Sequence, residues 1–229
     1  MIEPGLESQL RALADGRRQA LDRVTTAARE NDAAALLLIG SLGRGGGDAF
    51  SDLDLIVVPG PSSPAIDPIA LFGDVILASL DVPRNAPAGG AYHGLCLAVA
   101  DAVLWLDLYT WPAETAALPA DATAVFDHIN LPHSDLAFIP LITKHAVPGA
   151  PAHPDNDATR LLRIAVAAKY LARGDLARII DKLPAAQGCD LDAVPMLLHE
   201  LLDGVDDPDL AHAVSATAAL IDLAEATAA

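Results

Sequence analysis

Apolar residues at Leu6, Leu10, Leu13, Leu21 and Val24 recur at roughly helical spacing, so residues 5–31 read as an amphipathic helix. The next apolar run, AAALLLIG (Ala33 to Gly40), is short and ends in glycine, the pattern of a buried strand. SLGRGGGDAFS follows, a glycine-rich loop or turn leading into a short helix. DLDLIVVPG (Asp52 to Gly60) alternates and closes on Pro-Gly, which predicts a second strand.

Further on, the proline-bearing stretch from Pro61 to Pro68 predicts a loop, and Ile69 to Phe72 a short helix. DVILASLDV (Asp74 to Val82) reads as a strand and PRNAPAGGAYHG as a loop. GLCLAVADAVLWLDLYTW reads as two strands joined tightly at Ala100 to Ala102. Up to Trp111 this makes one helix and about five strands with short helices between them, an α/β or α+β sheet domain.

The pattern then changes. Leu161, Leu162, Ile164, Ala165, Ala168 and Leu171 have helical spacing, and Gly174 ends the run. Residues 175–183, 190–202 and 209–227 read as further helices, each opening near an aspartate that can cap it. Pro148 to Pro154 is the best linker, and the domain boundary falls between Pro112 and Pro154. Drawn at residue 120, it gives a sheet domain (1–120) and a C-terminal helical domain (121–229).

Composition supports a folded chain, since hydrophobic residues make up 52% of the 229 positions and charged residues 20%. Lys and Arg total 14 against 31 Asp and Glu, a formal net charge of -17. That balance argues against nucleic acid as a partner and favours a small or cationic substrate. Cys96 and Cys189 form no metal-ligand spacing and fit a reducing compartment. The first residues are polar and charged, unlike a signal peptide, and no apolar run spans a bilayer. A soluble cytoplasmic chain is the expectation.

Candidate chemistry concentrates between Gly40 and Leu55. A strand ends in Gly40-Ser41, a glycine-rich turn carries Arg44, and eleven residues after Ser41 comes Asp52-Leu53-Asp54. Side chains two apart on a strand share a face, so Asp52 and Asp54 project together, and a divalent cation relieves their repulsion. Glycine backbone can approach phosphate oxygens closely, Ser41 can donate a hydrogen bond, and Arg44 can neutralise phosphate charge. A Walker GK[ST] loop and Rossmann spacing are both missing from the sequence. Asp107, within VLWLDLYTW, shares one strand face with Trp105 and Tyr109. A carboxylate inside so apolar a strand is costly unless paired or metal-bound. The seven histidines form no ligand pair.

The Gly40-Ser41…Asp52-x-Asp54 segment resembles the signature of the DNA polymerase β-like nucleotidyltransferase superfamily over Leu36 to Val58. The resemblance implies a mixed sheet flanked by helices. It implies a Gly-Ser turn that binds the triphosphate of ATP or another nucleoside triphosphate, and paired acids that bind two Mg²⁺ ions. It also implies a third acid on a later strand, with metal-ligand or general-base duty. Asp107 is the candidate for that acid, and Asp81 and Glu114 are weaker alternatives. A helical domain after such a sheet is similar to the layout of aminoglycoside and lincosamide antibiotic nucleotidyltransferases. KYLARGDLARII echoes a helix–turn–helix of that class, where a basic residue reaches the triphosphate, which makes Lys169 a candidate for nucleotide binding. The expected reaction is transfer of a nucleoside monophosphate to a hydroxyl of a small acceptor, with aminoglycoside-like antibiotics as one class. A catalytically idle antitoxin-like binding module and a protein adenylyltransferase remain as alternatives.

Overall fold

A computed structural model describes residues 4–63, 66–73, 75–80, 86–146 and 156–228. Its helices are α1 (Pro4–Glu30), α2 (Gly40–Gly43), α3 (Pro68–Leu71), α4 (Phe138–His145), α5 (Asp157–Leu171), α6 (Leu176–Lys182), α7 (Val194–Asp203) and α8 (Ala211–Ala228). Its strands are β1 (Ala35–Leu38), β2 (Leu53–Val58), β3 (Val75–Leu80), β4 (Ala91–Val99), β5 (Ala102–Thr110) and β6 (Thr123–Asp127). The six strands form one mixed sheet in the order β3-β4-β5-β2-β1-β6, with β2 and β5 parallel and every other pair antiparallel. The expected mixed α/β architecture with a helical C-terminal region is therefore present.

Period-two alternation dresses each face of the sheet differently. Leu53, Leu55, Val57, Leu104, Leu106 and Leu108 pack with Ala20, Val24 and Ala28 of α1 on one face. On the other face, Val103, Trp105 and Cys96 pack against α5, α7 and α8, while Ile56, Tyr92 and Tyr109 pack against α4. The C-terminal helices thus share one continuous apolar cluster with β3 to β5 and sit directly on the sheet.

Several elements depart from the sequence expectation. The sheet runs past residue 120 to Asp127, because β6 pairs along β1. Five residues on a half-exposed edge carry too little alternation to announce a strand. Residues 91–94, read as loop, belong to β4, where nine consecutive pairs with β5 impose the strand that Gly94 and His93 conceal. The two-residue connection of that hairpin puts Ala100 and Asp101 at φ 50° and 64°, the left-handed pair that a type I′ turn requires. α4 was hidden by Pro140, which lies in the helix's first turn, where no intrahelical donor is needed. The short helix beside the glycine-rich stretch is α2, at its start and not its end. Gly174 takes φ 65° just beyond α5, and Asp175 and Asp190 cap α6 and the turn before α7, as expected. α8 is preceded by a turn capped by Asp207 instead of Asp209. The linker expected at Pro148 to Pro154 lies outside the described residues, as does Asp81. Among the described residues, no helix is long and apolar enough to cross a membrane.

Candidate functional site

Parallel pairing of β2 and β5 sets Asp54 directly opposite Asp107 in register. Both side chains emerge on the helix-covered face, at the seam between the cluster holding Trp105 and the one holding Tyr109. Asp52 precedes β2 and shares Asp54's face. Among the described residues, Asp52, Asp54 and Asp107 are thus brought to one place, whereas Glu114 is exposed beyond the end of β5.

The Gly40-Ser41 turn reaches the same place from β1. Gly40 takes φ +67°, and a Cβ there would stand 2.2 Å from Asp54 Oδ2, so only bare backbone fits against the carboxylate. The Ile39 N–H donates to the Asp54 carbonyl at 3.0 Å, tying the turn to β2. Ser41, Arg44, Asp48, Asp52 and Asp54 line an open cleft of about 430 Å³ together with Tyr170, Arg173 and Arg178. Arg44 stands at the cleft margin and pairs with Asp121 at 3.4 Å.

Charge within this group is settled internally. Lys169, only 4% exposed, donates to Asp52 Oδ1. Its ammonium faces the Asp52 carboxylate, which lines the cleft. Burial first, then Asp107 and Asp52, push the Asp54 carboxyl well above the ordinary carboxylate range. Asp107 is raised by burial and by Asp52, and drawn back by hydrogen bonds from Tyr92 and Trp105. Those bonds, from Tyr92 Oη and Trp105 Nε1, both end on Asp107 Oδ1 at 2.6 Å. The neutral form of Asp54 is therefore favoured beside Asp107.

Among the described residues, no three His, Cys, Asp or Glu side chains are grouped to hold a metal ion as they stand. The donor set still suits one. Three carboxylates supply the hard oxygens that Mg²⁺ takes, and among the described residues Lys169 is the cation paired within the group.

Asp52 is carried by a loop pinned from both sides. Arg17 of α1 donates to the carbonyls of Ala49 and Ser51 at 3.1 and 2.9 Å. Arg173, one turn beyond Lys169, grips Asp48 through Nε and Nη2 at 2.7 and 2.9 Å. Asp48 in turn accepts from Ser51 Oγ and the Phe50 N–H. Of these, only Arg173 had a sequence signal, its four-residue spacing from Lys169; Arg17, Asp48 and Tyr92 become visible only through tertiary contact.

Arg173 holds the Asp48 carboxyl below its usual range. That contribution to stability is fully present above the ordinary carboxylate value of about 4 and is lost as pH falls through the lowered folded value. Both partners are partly exposed, so Arg173→Leu is expected to lower stability by at most about 1 kcal/mol at neutral pH. Faster hydrogen exchange is expected across the glycine-rich loop. The melting-temperature gap from the parent chain should close as pH is lowered; a gap unchanged down to about pH 2 would assign the loss to packing.

No family model matches the chain, and no curated protein matches it.

Proposed function

We propose that this chain is a nucleotidyltransferase, moving a nucleoside monophosphate from a nucleoside triphosphate, ATP foremost, to a hydroxyl of a small acceptor. The observation that carries the reading is Asp54 and Asp107 in register on parallel strands, with Asp52 beside them and the Gly40 backbone against Asp54. Asp52, Asp54 and Asp107 would hold Mg²⁺, which supplies neutralisation of the triphosphate and of the departing pyrophosphate.

The chain's own residues have distinct duties in this reading. Bare backbone after Gly40 and the Ser41 hydroxyl meet phosphate oxygens. Arg44 and Arg178, which both line the cleft, meet the polyphosphate charge. Lys169 holds Asp52 aimed before substrate arrives. A carboxylate of the cluster accepts the acceptor's hydroxyl proton. The acidic total charge suits a cationic acceptor such as an aminoglycoside.

The test is incubation with labelled ATP, Mg²⁺ and a panel of polyamine, aminoglycoside and lincosamide acceptors, scored for pyrophosphate release and acceptor mass gain. One observation favours a second reading, an idle nucleotide-binding module: Lys169 already pairs with Asp52 within the site. ATP binding without pyrophosphate release from any acceptor, or from lysate proteins examined for a gain of AMP, would select that reading.

A further inference from the structure

Asp107 is held more tightly than a ligand carboxylate requires for folding alone. Both hydrogen bonds at 2.6 Å converge on the same oxygen, Oδ1, from side chains on two different strands. A carboxylate oxygen has two lone-pair sites, so Oδ1 is saturated and Oδ2 is the atom with capacity left. The convergence depends on an absence. Gly94 lies opposite Asp107 across the β4–β5 ladder, and a Cβ there would meet Trp105 Cζ2 and Tyr92 Oη at 2.8 Å each. Any larger residue at 94 would push both donors off the carboxylate.

We propose that Tyr92 and Trp105 are positioning residues that fix Asp107 in one orientation, presenting Oδ2 alone to a divalent cation, and that Gly94 is the space that permits it. This rests on the nucleotidyltransferase reading above. The buried Tyr92 phenol donates its hydroxyl proton to Asp107 Oδ1. Its ring packs tilted against Tyr109 at 4.9 Å, and Tyr109 meets Phe138 edge-on, so Tyr92→Phe removes the donor while keeping the packing. Partners that orient a metal ligand from behind typically account for 10- to 100-fold in metal affinity.

The experiment titrates Mn²⁺ into metal-free protein and follows loss of the free-ion electron paramagnetic resonance signal. It uses the parent chain, Tyr92→Phe, Asp107→Asn and the double variant, each checked by thermal melting. Tyr92→Phe is expected to weaken Mn²⁺ uptake by roughly 10-fold or more. In the Asp107→Asn background the same change is expected to do nothing further, an outcome that a purely structural tyrosine would not give. Gly94→Ala should reproduce the Tyr92→Phe loss without touching a donor. Unchanged uptake in Tyr92→Phe, or an equal loss with and without Asp107, overturns the inference while the parent chain's Mn²⁺ binding keeps the broader reading standing. A parent chain that takes up no Mn²⁺ overturns both.

Discussion

Asp54→Asn is expected to lower nucleotidyl transfer by roughly a thousandfold or more, the rate equivalent of several kcal/mol of charge stabilisation at the reacting phosphate. The same substitution is expected to make the metal-free protein more stable. Asparagine keeps the shape of the side chain, and its amide can donate to Asp107. What it removes is an ionisable group whose charged form burial, Asp107 and Asp52 all disfavour, and so the cost of keeping it protonated at neutral pH. Function and stability would then move in opposite directions, as they do where a fold stores unfavourable charge for use by a ligand. The pH dependence follows from the same cause. With its folded value raised, Asp54 holds a proton in the native chain that the unfolded chain releases once pH passes about 4. Stability of the parent chain in chelator should therefore fall as pH rises from there toward the folded value, and Asp54→Asn should flatten that slope. Melting curves in chelator from about pH 5 to 8, beside pyrophosphate release in Mg²⁺, measure both effects. Retained turnover would end the proposed chemistry, and a lower melting temperature would mean that the Asp54 charge is not a burden on the fold.

The acidic pair and the glycine turn were legible in the sequence because both are local signals. Period-two alternation places Asp52 and Asp54 together whatever the strand's neighbours are, and Gly40-Ser41 closes an apolar run. Asp107 stood out because a carboxylate in VLWLDLYTW has to be accounted for. Its pairing with Asp54 did not stand out. That β5 inserts beside β2 in parallel, bringing Asp107 opposite Asp54, is a long-range register that no spacing within either strand encodes. Tyr92 was concealed for a related reason. AYHG offers a lone histidine and a glycine where a strand should alternate, and only pairing with β5 makes it extended. Gly94, which looked like loop punctuation, is a space within the sheet that lets two donors meet one acid. β6 and α4 were missed because a short edge strand and a helix with proline in its first turn lack the periodicity that announces longer elements. For Lys169 the residue was visible and its surroundings were not, since lysine on a helix is by default solvated.

Those surroundings make Lys169→Met the second large effect. Methionine has similar length and reach and adds no polar group, so the apolar side of the α5 contact survives. The ammonium lost is the one that faces Asp52, in a group of three acids of which two are buried. Removing one partner of a buried ion pair leaves the other uncompensated, at about 3–5 kcal/mol. Asp52 keeps 30% of its side-chain surface, so water relieves part of that and the low end, about 3 kcal/mol, is expected. For a chain of this size the melting temperature in chelator should drop by roughly 6–12 °C. A solvated helix lysine would instead shift stability by no more than about 0.5 kcal/mol. Added divalent cation then separates two roles for the side chain. If Lys169 is the charge that stands among the acids until a cation arrives, its removal leaves a more negative site, and Mg²⁺ should raise the variant's melting temperature by more than it raises the parent's. If its sole duty lies on the nucleotide, Mg²⁺ should stabilise both proteins equally, and only the ATP concentration needed for half-maximal turnover should change.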